Sequence, residues 1–185
     1  AELSRPDLDL EHYLRAYDQA VAAALLRWGW SPEALQSALE DGRAEAIAAD
    51  SGRWLARHRF YPGVPERLSQ LRQEGADWSV LTTKGGAFAA AILDAEGLHP
   101  QGLQGHEQGS KPEVLLRLAA LGRPLWFVED RRPTLEAVVA TPGLEAVRCF
   151  LVSWGYLGPG DRQGLPPSIR LLEPERFAGP LALWP

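Results

Sequence analysis

The first 57 residues carry a helical pattern of hydrophobic positions. Five residues recur at steps of three and four and so share one helix face: Leu14, Tyr17, Val21, Ala24 and Trp28. A second helix is expected to begin at residues 31–33 (Ser-Pro-Glu), because Ser is a good N-cap and Glu lies near the positive helix end. A third helical pattern follows Gly42, and no strand pattern occurs before residue 58. The pattern predicts an all-α unit over residues 1–57.

From residue 58 to residue 185, short apolar runs alternate with helical patterns. β-rich runs occupy residues 78–82, 125–128 and 147–152, and helical patterns lie before and between them. This alternation is typical of an α/β fold with a parallel sheet. The four consecutive apolar residues at 125–128 predict a strand that is buried on both faces. A loop rich in Gly and Pro is expected from residue 155 to residue 167.

Composition and charge exclude several classes of partner. The chain has 185 residues and a formal net charge of −5, so it lacks the basic excess that nucleic acids or anionic membranes select. Its apolar runs are too short to span a bilayer, and no signal segment opens the sequence. The single cysteine, Cys149, lies in an apolar run and is expected in the core. We expect a soluble cytoplasmic protein, monomeric or homodimeric. Because the sequence has no methionine, we also expect that it begins inside its gene product or that methionines are missing from it.

Ligands of parallel α/β sheets bind at the carboxyl ends of the strands. Three such positions are candidates for a binding site. Thr82 and Thr83 follow the first β-rich run and precede two glycines, an arrangement that suits an anion; they also fit an ordinary strand followed by a loop. Lys111 follows the N-cap Ser110, where a cation opposes the helix dipole. Its position predicts either a functional role or a side chain that points to water.

The third position is the adjacent acid pair Glu129 and Asp130 at the end of the run 125–128. Two neighbouring carboxylates repel each other unless a cation lies beside them. Arg131 or Arg132 is one source of that charge, and Asp130 is also a suitable N-cap for the following helix. A hard divalent cation such as Mg²⁺ satisfies the same carboxylate oxygens.

Taken in order, these motifs resemble those of the haloacid dehalogenase-like hydrolase superfamily, in its phosphoglycolate phosphatase-like branch. Four segments carry the resemblance: residues 80–84 (Val-Leu-Thr-Thr-Lys), 109–112 (Gly-Ser-Lys-Pro), 127–130 (Phe-Val-Glu-Asp) and 60–64 (Phe-Tyr-Pro-Gly-Val). Residues 152–156 are similar to the strand and loop that follow the acid motif in that branch. The resemblance implies a Rossmann-like core over residues 58–185 and makes residues 1–57 its helical cap.

The resemblance also implies roles for individual residues. It makes the protein a Mg²⁺-dependent phosphatase of a small phosphorylated metabolite that works through an aspartyl-phosphate. Thr82, with Thr83, would hold the phosphoryl oxygens, Lys111 would neutralise charge, and Asp130 with Glu129 would bind Mg²⁺. The family nucleophile, the first Asp of Asp-x-Asp after an apolar strand, has no good match. We expect it upstream of Ala1, with Asp7 in the segment 7–10 (Asp-Leu-Asp-Leu) as the alternative.

Two departures keep other functions open. Glu129 stands where Gly is commoner, and Thr134 stands where a second acid is frequent, so the number of metal ligands is open. The alternatives are a catalytically silent member that binds a ligand or partner, and a halide-releasing hydrolase of the haloacid dehalogenase type. The acid pair disfavours the second alternative, which requires no metal.

Overall fold

The computed structural model describes residues 16–185, which form a mixed α/β protein. They fall into two compact units: residues 16–51 with 158–161, and residues 52–157 with 162–185. Leu14 of the predicted helix face and the Asp7 segment lie outside the described residues. Within the described residues, no helix is both long and apolar enough for a membrane crossing.

The first unit is built from helices. Helix α1 spans Tyr17–Trp28, and helix α2 spans Pro32–Leu55. The last four residues of α2, 52–55, belong to the second unit. Ser31 caps α2 as expected, since its Oγ accepts a hydrogen bond from the Ala34 amide at 3.1 Å. The residues after Gly42 are helical as predicted, but no new helix begins at that glycine. The chain stays helical through Gly42 and departs from helical geometry at Asp50, where φ is −165° and ψ is 92°.

The second unit alternates helices and parallel strands. In chain order its regular elements are helix α3 (Val64–Leu71), strand β1 (Ser79–Leu81), helix α4 (Gly86–Ala95), strand β2 (Gly102–Gln104), helix α5 (Lys111–Ala119), strand β3 (Trp126–Glu129), helix α6 (Arg132–Val139), strand β4 (Arg148–Val152), strand β5 (Ile169–Leu172) and helix α7 (Pro174–Ala178). Short 3₁₀ turns follow α3, β2 and α7 at Arg72–Glu74, His106–Gln108 and Leu181–Leu183.

The strands form two small parallel sheets. β1 pairs with β2, with Val80 opposite Leu103, and β4 lies between β3 and β5. Sequence patterning had indicated the three strands β1, β3 and β4. That patterning did not predict β2 or β5. The segment 155–167 is a loop, as predicted.

The core lies on both sides of β4. Cys149 and Leu151 face one buried cluster with Leu135 and Val138, and Phe150 faces a second cluster with Leu172. Cys149 is a core residue as predicted, and burial raises the pKa of its thiol. The strand buried on both faces is therefore β4, the central strand, and not β3 as predicted. β3 has one neighbour among the described strands, and its Val128 is 36% exposed.

Candidate functional site

Lys111, Glu129 and Asp130 come together at the carboxyl end of β3. Glu129 is the last residue of β3, Asp130 follows it, and Lys111 is the first residue of α5. The Lys111 Nζ donates a hydrogen bond to Glu129 Oε2 and lies 5.9 Å from the ring centroid of Phe127. We call these three residues the Lys–Glu–Asp group.

The ion pair explains how a lysine is accommodated at the positive end of a helix. The Lys111 side chain is 20% exposed, and the Glu129 side chain is 5% exposed. Glu129 Oε1 also accepts hydrogen bonds from the backbone amides of Asp130 at 3.2 Å and Arg131 at 3.1 Å. Burial raises the pKa of the Glu129 carboxyl, and the charge of Lys111 acts in the opposite direction. The Glu129 carboxylate thus supplies the negative charge that the lysine needs.

The side-chain charge that neutralises Glu129 comes from Lys111 and not from Arg131 or Arg132. The Arg132 Nε donates to Glu136 at 2.7 Å, and its Nη1 donates to the Gln163 carbonyl at 2.7 Å. The N-cap of α6 is Arg131, and no side chain caps this helix. Asp130 therefore does not serve as the helix cap that the sequence also allowed.

Asp130 is held by the loop that follows β4. Its Oδ2 accepts a hydrogen bond from the Tyr156 amide at 3.1 Å. A Cβ atom at Gly155 would overlap the Cβ of Asp130, so the loop approaches this closely only because residue 155 is glycine. The resemblance included Gly155 and Tyr156 in the segment 152–156 but predicted no contact with Asp130. The signal that was present is a glycine just beyond the carboxyl end of a strand.

Thr82 follows β1 and has local backbone partners. Its amide donates to the Gln104 carbonyl at 2.9 Å, and its Oγ1 accepts from the Lys84 amide at 3.1 Å. Thr83 is exposed. Among the described residues, no hydrogen bond joins either threonine to the Lys–Glu–Asp group. The link between β1 and that group is apolar, because Leu81 packs against the cluster that contains Phe127.

The start of α4, where the sequence suggested an anion, is contacted by a carboxylate of the protein itself. Glu107 Oε1 accepts a hydrogen bond from the Gly86 amide at 3.0 Å. Gly105 lies so close that a Cβ there would overlap the Gly86 nitrogen. Hydrogen bonds from its own backbone amide and from Gly86 lower the pKa of Glu107. Sequence reasoning had given Glu107 no function.

Glu129 and Asp130 differ in their capacity to bind a metal ion. Both oxygens of Glu129 accept hydrogen bonds, whereas Asp130 Oδ1 has no partner in the described part of the chain. Across residues 16–185, no three His, Cys, Asp or Glu side chains are grouped closely enough to hold a metal. Mg²⁺ commonly takes one or two carboxylates together with waters and substrate phosphate. Asp130 therefore fits as a single protein ligand for Mg²⁺, and Glu129 does not fit while it is paired.

Comparison with known proteins finds no relative of this chain. No protein-family model, no curated protein and no solved structure matches this chain.

Proposed function

We propose that the protein is a cytoplasmic, Mg²⁺-dependent phosphatase of a small phosphorylated metabolite. The observation that supports it most is the ammonium of Lys111, which is paired with Glu129, the residue before Asp130, at the carboxyl edge of a parallel sheet. Phosphoryl transfer requires mainly positioning and neutralisation of charge, and this group supplies both. The resemblance of the four sequence motifs points to the same reaction.

In this proposal the two acids do different work. Glu129 orients the Lys111 ammonium through one of its three N–H donors and leaves the other two for phosphoryl oxygens. Asp130 is a ligand of Mg²⁺, which when bound would neutralise phosphate charge. The Tyr156 amide holds the Asp130 carboxylate in place. Thr82 and Thr83 remain the proposed phosphate-binding hydroxyls, contributed by the loop after β1.

The nucleophile is proposed to come from a further strand. Among the described residues, the carboxylate that contacts Lys111 is Glu129. β1 and β3 each pair on one side only within the described strands, although Leu81 and Phe127 belong to one core. A parallel strand paired between them would bring its last residues to the carboxyl edge beside Lys111. Encoded sequence upstream of Ala1 that ends in Asp-x-Asp would supply such a strand.

Hydrolysis of p-nitrophenyl phosphate by the complete gene product tests the proposal. We expect turnover with Mg²⁺ and its loss in EDTA, with recovery when Mg²⁺ is restored. Equal rates with and without the metal would contradict the Mg²⁺ assignment. Turnover by residues 1–185 alone would place the nucleophile within them, and Asp7→Asn would then test the alternative aspartate.

The second candidate is a catalytically silent protein that binds an anionic ligand at the same edge. It is favoured by the partners of Glu129, because both of its carboxylate oxygens accept hydrogen bonds from residues of the described chain and so are engaged without a metal ion. Calorimetry with inorganic phosphate separates the two functions. Phosphate binding without turnover by the complete gene product supports the silent protein.

A further inference from the structure

A cavity of about 260 Å³ lies in the second unit. Its lining is almost entirely apolar or aromatic and consists of Tyr61, Pro62, Gly63, Trp154, Pro174, Phe177 and Ala178. The rings of Trp154 and Phe177 lie 5.3 Å apart between centroids, with their planes inclined by 55°. Tyr61 is 47% exposed, so the cavity is open to solvent on that side.

The strand order places this cavity at the ligand-binding edge of the sheet. Trp154 comes two residues after the end of β4, and Pro174 comes two residues after the end of β5. Both strands run parallel to β3, whose carboxyl end carries Asp130. The cavity and the Lys–Glu–Asp group therefore lie at the same edge, where parallel α/β sheets bind their ligands.

One loop joins the cavity to Asp130. Trp154 lines the cavity, Gly155 packs against Asp130, and the Tyr156 amide donates to the Asp130 carboxylate. Two residues span at most about 7 Å of extended chain, which is the scale of a single small molecule. The backbone at Trp154 and the Tyr156 amide that contacts Asp130 are therefore separated by no more than the length of one small molecule.

We propose that this cavity binds a planar aromatic or heteroaromatic ring of the substrate's leaving group, so that the substrates are phosphate esters of ring-bearing alcohols. The inference rests on the proposed phosphatase function. Rings favour aromatic neighbours at centroid distances of about 4.5–7 Å, and Tyr61, Trp154 and Phe177 offer three such neighbours. An apolar cavity of about 150 Å³ already binds benzene, so this cavity has room for a ring with a substituent.

Calorimetric binding of phenyl phosphate and of inorganic phosphate to the full chain tests the ring site separately from catalysis. The unmodified protein is expected to bind phenyl phosphate at least tenfold more tightly than inorganic phosphate. Trp154→Ala should weaken phenyl phosphate binding about tenfold and leave inorganic phosphate unchanged, and Trp154→Phe should restore most of the loss. Tyr61→Ala, which truncates an exposed side chain, provides a second variant that does not disturb the core.

Trp78→Ala is the matched control, because Trp78 precedes β1 and so lies at the opposite, amino end of a strand. It should leave both affinities unchanged. Equal affinity of the unmodified protein for the two compounds, or no binding of phenyl phosphate, overturns the ring site. Equal loss of both compounds in Trp154→Ala also overturns it, because the tryptophan would then act only through the Asp130 loop. Tight binding of phenyl phosphate without hydrolysis by the complete gene product leaves the ring site standing and refutes the phosphatase.

Discussion

The ion pair with Glu129 reverses the effect on stability that is expected of Lys111 from its position in the sequence. By sequence alone it opposes the dipole of α5, and its removal should leave stability unchanged or slightly higher. In the structure its ammonium is the partner of the buried Glu129 carboxylate. Removing one member of a buried pair leaves an uncompensated charge, which is strongly destabilising.

We therefore predict that Lys111→Ala lowers both activity and stability. Loss of one electrostatic group lowers turnover on the order of 100-fold. Loss of the partner of Glu129 lowers the free energy of unfolding by about 3 kcal/mol. The double variant Lys111→Ala with Glu129→Gln should recover much of the stability without the activity. Paired turnover and denaturant-unfolding measurements check this, and normal turnover in Lys111→Ala would remove the lysine from the mechanism.

The two neighbouring acids are predicted to differ. Asp130→Asn should lower turnover much more than Glu129→Gln, because Asp130 has the free carboxylate oxygen and Glu129 is engaged by Lys111. Glu129→Gln keeps a hydrogen-bond acceptor for the ammonium, so we expect a smaller loss. Turnover measured over a range of Mg²⁺ concentrations should show a raised metal requirement for Asp130→Asn alone. The reverse order would place the metal ligand at Glu129.

Among the elements, the start of α5 combines a helix cap with Lys111, the proposed charge-neutralising side chain. Ser110 Oγ donates to Glu113 Oε2 at 2.8 Å, and the same carboxylate accepts from the Ser110 amide at 2.8 Å. These bonds lower the pKa of Glu113 and complete the capping box expected from the sequence. The cap fixes where α5 begins, and so it fixes the position of Lys111.

Ser110→Ala is predicted to lower the free energy of unfolding by about 1 kcal/mol, the usual contribution of an N-cap. Turnover should change little, because Lys111 remains anchored by Glu129. Ser37→Ala is the matched control, since Ser37 is exposed within α2, where alanine is favourable. Chemical denaturation of both variants measures the difference. Equal stabilities would show that the cap contributes nothing to the fold.

At the scale of the second unit as a whole, a buried arginine ties the C-terminal segment to α3. Arg67 is 2% exposed, and its guanidinium donates through Nη1 and Nη2 to the Glu74 carboxylate. Glu74 Oε2 also accepts from the Leu181 amide at 2.8 Å. The hydrogen bonds from Arg67, and next the one from the Leu181 amide, lower the pKa of Glu74 to about 2.

This contact predicts a specific acid sensitivity. Because the pKa of Glu74 is lower in the folded than in the unfolded chain, its stabilisation is fully present above about pH 4.5. It is lost as the pH falls toward 2. Glu74→Gln should therefore lower Tm at pH 7 and flatten the dependence of Tm on pH between 5 and 2. Glu175→Gln, in an exposed acid of α7, should leave that dependence as it is, and identical pH profiles of all three proteins would contradict the role of Glu74.

Features that depend on near neighbours in the chain can be predicted from the sequence. The helix start at Ser31, the capping box of Ser110 with Glu113, and the apolar run that forms β4 are all encoded within a few residues. Such features follow from local hydrogen bonding and from the periodicity of side chains, which any window of sequence displays. The order of Thr82, Lys111 and Asp130 along the chain can likewise be read from the sequence.

Contacts between distant groups depend on the packing of the folded chain. β2 carries no strand pattern, and it forms because the edge of β1 offers it backbone partners. Only the folded chain brings the Lys111 ammonium to Glu129, the Tyr156 amide to Asp130, and Glu107 to the start of α4. These partners lie 18 to 26 positions apart in sequence. Contacts across such separations are set by strand order and loop approach, and no local pattern of residues records them.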